Sequence, residues 1–157
     1  MNVEHKSGRI HPMKRRFTAV CALLLCLSLS ACGVLLSDHL SKEQIFSLVA
    51  EHEEELRACI ASGQYDTATA IDGIQHVYKY DRYGCVKFYC GGAGFGSATS
   101  YYGFYYSPAD RPLSLEAAPA EAALGAVNGF DWHEENGDNS YRTERIAENF
   151  FYYEAHY

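Results

Sequence analysis

Apolar positions along the chain follow three different patterns. The first is a continuous run, Phe17 to Leu29, of 13 residues behind the basic cluster Lys14-Arg15-Arg16. A helix needs about 20 apolar residues to cross the roughly 30 Å bilayer core, so this run is too short to span it. Its length and basic flank predict the core of a signal peptide. The second pattern is helical. Ile45, Leu48, Val49, His52, Leu56, Cys59 and Ile60 recur at 3- and 4-residue spacing. Ser41 and Gln44 match a capping box at the helix start, and Ser62-Gly63 closes it. Glu51, Glu53, Glu54, Glu55 and Arg57 fill the other side, which reads as a solvated face.

From Ile71 onward the pattern becomes that of strands. Gln75–Tyr80, Cys85–Cys90, Ser100–Ser107, Phe130–His133, Tyr141–Ile146 and Phe150–His156 are the predicted strands. Asp81–Gly84, Asn136–Asn139 and Glu148-Asn149 are the predicted turns. Leu115–Leu124, interrupted by Pro119, reads as a loop or one weak helical turn. Short turns favour antiparallel pairing. The expected fold class is therefore α+β: an N-terminal amphipathic helix packed on an antiparallel sheet of about five or six strands.

The residues that end the first apolar run add an address. Leu29-Ser30-Ala31-Cys32 resembles the lipobox of bacterial lipoproteins. The resemblance implies a diacylglyceryl group on Cys32, further acylation such as palmitate, and cleavage before that cysteine. It implies a protein held at the cell membrane by lipid and facing outside the cytoplasm. The resulting division is residues 1–31 as N-terminal extension and signal peptide, 32–40 as lipidated tether, and 41–157 as one domain. Met13 directly precedes the basic cluster and is an alternative start. One lipid chain binds a membrane marginally, and two hold it durably.

Cleavage before Cys32 changes the charge. The whole chain carries −7, and residues 1–31 remove five Lys/Arg and one Glu, which leaves −11. A domain this acidic is unsuited to nucleic acid, whose binding requires phosphate neutralisation. Cleavage also removes Cys21 and Cys26, and lipid occupies Cys32. Cys59, Cys85 and Cys90 remain. Cys85 and Cys90 point to opposite faces of one strand, so a bond between them is disfavoured. Cys59 either bridges to one of them or all three are small buried hydrophobes.

Motifs of catalysis and metal binding start and then fail. Gly91-Gly-Ala-Gly-Phe-Gly96 has glycines enough for a phosphate loop, but a strand follows it where a dinucleotide site needs a helix. A flexible or bulged hairpin loop is expected, or an opening of the backbone toward a ligand. His133-Glu134 lacks the second histidine of a zinc-protease helix. Asp131, His133, Glu135 and Asp138 form an acidic cluster without the spacing of a calcium loop. No catalytic residue, metal ligand or cofactor is assigned, and a small enzyme or metal-dependent site near Asp131 and His133 is the alternative function.

Aromatic residues are the remaining signal. The chain has 13 Tyr and 8 Phe, and five aromatic residues crowd Tyr101–Tyr106 alone. Alternation sends half of each strand's aromatics to the face away from the helix. There they either pair across strands to stabilise the sheet or form a recognition surface for a protein or glycan. Phe95, Tyr101 and Tyr105 are the candidate ligand contacts. The expected role is a surface binding or accessory module. Residues 97–112, 137–146 and 151–156 resemble small uncharacterised lipoproteins of gut-dwelling Gram-positive bacteria. That resemblance implies a domain on the outer face of a single-membrane cell and carries no functional residues.

Overall fold

A computed structural model describes residues 37–157, apart from 82, 97 and 117. The signal sequence and Cys32 lie outside the described residues. The sheet strands are β1 (Ser37–His39), β2 (His76–Tyr80), β3 (Cys85–Phe95), β4 (Ala98–Tyr106), β5 (Gly129–His133), β6 (Ser140–Ala147) and β7 (Phe150–His156). Among the described residues they form one antiparallel sheet in the order β1-β3-β4-β7-β6-β5, with β2 also paired to β3. The protein is thus a mix of helix and antiparallel sheet, with seven strands where five or six were expected. No helix among the described residues is long and apolar enough to cross a membrane.

The main helix spans Lys42–Ser62. Ser41 caps it: its side chain accepts from the Gln44 amide, and the Gln44 side chain accepts from the Ser41 amide. Gly63 ends it in the left-handed conformation, at φ 71°. Ile45, Leu48, Val49, Leu56 and Cys59 are buried, and they form one cluster with Val86, Phe88, Cys90, Phe104, Phe150 and Tyr152 from one sheet face. His52 departs from the apolar stripe. It has non-helical torsions and its Nδ1 lies 3.2 Å from Glu55.

Two expectations change here. The tether predicted over 32–40 is, from Ser37 to His39, a strand paired with Gly91–Ala93. The glycine run predicted as a hairpin loop is itself strand, bulged between Tyr89 and Gly92 and paired on both sides. The glycines permit that crowding. A Cβ on Gly91 (φ 109°) would stand 1.9 Å from the Asp38 carbonyl oxygen, and one on Gly94 (φ 116°) would stand 2.0 Å from that of Ala98.

The other sheet face has its own core. Cys85, Tyr105, Tyr141, Phe151, Tyr153 and Ala155 are buried there together with Leu115 and Ala118 from the segment that links β4 to β5. Each such large apolar side chain contributes about 1.5–3 kcal/mol on burial, so this second layer is a core in its own right. Cys85 and Cys90 lie in different clusters, as strand alternation requires, and Cys59, Cys85 and Cys90 are all buried free thiols. Burial pushes the Cys85 and Cys90 thiols up to about 12.

Candidate functional site

The structure separates the three predicted ligand contacts. Tyr105 is fully buried. Its hydroxyl accepts from the Leu113 amide at 2.8 Å and bonds Thr143 Oγ1 at 2.8 Å. It therefore belongs to the core beneath the β4–β5 segment and offers no surface to a ligand. Phe95 ends β3 and is 90% exposed. Strand alternation from its partner Ala98 puts it on the face opposite Tyr101. Tyr101 alone stays on the outward face with part of its ring accessible.

Tyr101 has company that the sequence did not reveal. Its ring centroid lies 6.1 Å from that of Tyr89 and 5.7 Å from that of Tyr157. Tyr89 in turn lies 6.0 Å from His76, and His76 lies 6.1 Å from Tyr78. The result is a row of rings across β2, β3, β4 and the end of β7. Register builds it, since His76 opposes Tyr89 and Tyr101 opposes Gly92. Gly92 keeps the interval between Tyr89 and Tyr101 open: a Cβ there would stand 2.9 Å from the Tyr89 hydroxyl and 3.6 Å from the Tyr101 ring. Tyr78 is 47% exposed, so the row reaches solvent at the sheet edge. Burial raises the Tyr89 phenol, aided by its neighbour Tyr101, so it is uncharged at neutral pH.

On the helix side of the sheet, the four central and outer strands place polar groups in a grid. Ser100, His156, Ser140 and His133 oppose one another in turn across β4, β7, β6 and β5. Tyr102, Glu154, Arg142 and Asp131 form the next line. Asp131, His133, Ser140, Tyr141, Arg142, Glu154 and His156 line a cleft of about 240 Å³. Ser100 Oγ lies 2.6 Å from His156 Nδ1, and His156 Nε2 lies 2.7 Å from Glu154 Oε1. Tyr152 donates to the second Glu154 oxygen at 3.0 Å. Arg142 is loosely held, 3.5 Å from both Asp131 and Glu144.

Asp131 and His133, the sequence-predicted alternative site, thus share a cleft, but Glu135 and Asp138 do not line it. Among the described residues no three His, Cys, Asp or Glu side chains converge as a metal-binding group. Sequence reasoning missed Ser100, Glu154 and His156 because their meeting depends on long-range register. One signal was available: polar pairs at i and i+2 on neighbouring strands, Asp131/His133, Ser140/Arg142 and Glu154/His156. Comparison with protein-family models, with curated proteins and with solved structures gave no match.

Proposed function

We propose that the chain is a lipid-anchored extracytoplasmic binding module that holds an extended, uncharged glycan on the row His76, Tyr89, Tyr101 and Tyr157. In this reading Cys32 carries the lipid, residues 1–31 are removed, and the domain faces outward from the cell membrane. The helix Lys42–Ser62, first after the anchor, packs on the other sheet face, away from the row. The observation that carries the reading is the continuity of the rings, spaced 5.7–6.1 Å apart across the sheet.

Tyrosine suits this role physically. Its ring is an apolar surface and its tip a hydrogen-bonding hydroxyl, which matches a sugar's C–H face and hydroxyl rim. The ring interval is on the scale of one sugar unit. The strong acidity of the domain disfavours anionic polymers.

The test is a binding assay of the purified protein on insoluble cell-wall polysaccharide. Tyr89→Ala and Tyr101→Ala should each weaken retention about tenfold, which corresponds to about 1.4 kcal/mol. Equal retention by both variants overturns the glycan reading, and so does an absence of polysaccharide binding with a protein partner captured through the same residues. For the anchor, Cys32→Ala should move the protein from the membrane to the soluble fraction. Unchanged membrane retention would count against lipidation.

A further inference from the structure

We infer that Ser100, His156 and Glu154 form a hydrolytic centre for short-chain carboxylic esters, on the opposite sheet face from the tyrosine row. The inference does not rest on the glycan reading.

The three residues have the relationship that nucleophilic catalysis needs: nucleophile on base, base on an orienting carboxylate. Glu154 accepts from Tyr152 on one oxygen and faces His156 Nε2 with the other. A carboxylate acceptor fixes the imidazole proton on Nε2. Nδ1 then carries the lone pair, and it lies 2.6 Å from Ser100 Oγ. The Ser100 hydroxyl therefore donates to a base already turned toward it.

The chemistry balances with water as co-reactant. Nδ1 takes the Ser100 proton as Oγ adds to the ester carbonyl. The tetrahedral centre collapses, the C–O bond to the alcohol breaks, and the alcohol leaves with the proton from Nδ1. Water then gives a proton to Nδ1 and adds to the acyl carbon. The bond to Oγ breaks, Oγ recovers the proton, and the carboxylic acid departs. Strand amides around Ser100 are committed to the ladder, so a side chain must meet the developing oxyanion. Arg142 lines the cleft, is half exposed and is only loosely paired with Asp131 and Glu144; in this inference its guanidinium swings from those two carboxylates toward Ser100 to take that role.

Substrate class follows from size and charge. The cleft of about 240 Å³ is lined by His156, the partner of Ser100, rather than by Ser100 itself, and it admits a short acyl group beside that serine. The carboxylates Asp131 and Glu154 outnumber Arg142 around it, which disfavours phosphoesters. An ester also asks less of the leaving group than an amide does.

The experiment treats the full-length protein with a fluorophosphonate and maps the adduct by mass spectrometry, alongside hydrolysis of p-nitrophenyl acetate. The adduct should sit on Ser100 and disappear in Ser100→Ala and His156→Gln, with hydrolysis falling at least 100-fold. Arg142→Ala and Glu154→Gln should lower kcat with KM nearly unchanged, Glu154 acting as a positioning residue. Ser100→Cys preserves the fold and a nucleophile, and should transfer labelling at position 100 from fluorophosphonate to iodoacetamide. No adduct, an adduct on Ser140 or another residue, or full hydrolysis by Ser100→Ala overturns the assignment.

Discussion

The Leu113 amide donates to the Tyr105 hydroxyl across 2.8 Å, and this bond fastens the β4–β5 segment to the aromatic face beneath it. The bond begins a relay. Thr143 Oγ1 donates to the Tyr152 carbonyl at 2.7 Å, so Tyr105 must donate to Thr143 while accepting from Leu113. All three donors are satisfied within the core.

Tyr105→Phe removes the middle of this relay and leaves the Leu113 amide without its acceptor. The expected loss is about 1–3 kcal/mol of unfolding free energy, read from urea denaturation with an unchanged m-value.

Tyr153→Phe should behave oppositely. The Tyr153 hydroxyl is buried and has no hydrogen-bond partner among the described residues. Burial drives its phenol far above the ordinary range. Removing an unsatisfied polar atom relieves a desolvation cost of about 1–3 kcal/mol, partly offset by lost packing. The melting temperature should hold or rise. A drop as large as that of Tyr105→Phe would show that this hydroxyl has a partner.

Lys87 lies under the same segment. Its side chain is 7% exposed, it pairs with Glu116, and its ammonium stands 4.5 Å from the centre of the Tyr153 ring. Burial pushes its amine down to about 8 from 10.5, with Cys85 opposing. The Glu116 carboxylate is the counterweight that keeps the charge tolerable. Glu116→Gln should cost about 3–5 kcal/mol at neutral pH, where it strands a buried charge. Lys87 in the folded variant gives up its proton at lower pH than in the unfolded chain, so up to about 10.5 the unfolded variant holds more protons than the folded one and its stability should rise with pH. Denaturation series at pH 7 and pH 9.5 check both the loss and its partial recovery.

Gly103 lies beneath the Tyr153 ring. A Cβ there would come within 2.1 Å of the Phe88 carbonyl oxygen and 2.8 Å of the ring. The carbonyl belongs to the paired neighbouring strand and cannot retreat. Gly103→Ala should lose about 3 kcal/mol, the upper end of ordinary overpacking costs, measured as a shift in the urea midpoint.

Cys85 and Cys90 should resist thiol reagents in the folded protein. Burial holds both thiols at about 12, and the thiolate is the reactive form. Labelling with a chromogenic disulfide should reach them only after denaturation. Rapid labelling of either one in the native state would contradict their placement in the core.

Local chemistry made parts of this fold legible in advance. The Ser41–Gln44 capping box marks the helix start because both of its bonds lie within four residues. The strands β3, β4 and β7 announce themselves through their aromatic residues. The covering of Tyr105 was not legible. Leu113, Leu115 and Ala118 carry no periodicity, and their docking on the sheet is a tertiary event. The outward aromatics thus divide between a second core and a surface row, where sequence alternation treats them as one set. The Ser100–His156 contact was equally hidden, because it joins residues 56 positions apart through a pairing that no local signal specifies.

The three-residue strand Ser37–His39 gives the domain a mechanical property. The Gln75 side chain donates to the Asp38 carbonyl, the Leu40 amide donates to the Cys90 carbonyl, and the His39 ring stacks 4.2 Å from Tyr102. Tension arriving along the chain before Ser37 meets these few bonds first. A pull on the chain from before Ser37 would therefore load the sheet edge before it loads the helix Lys42–Ser62 that follows.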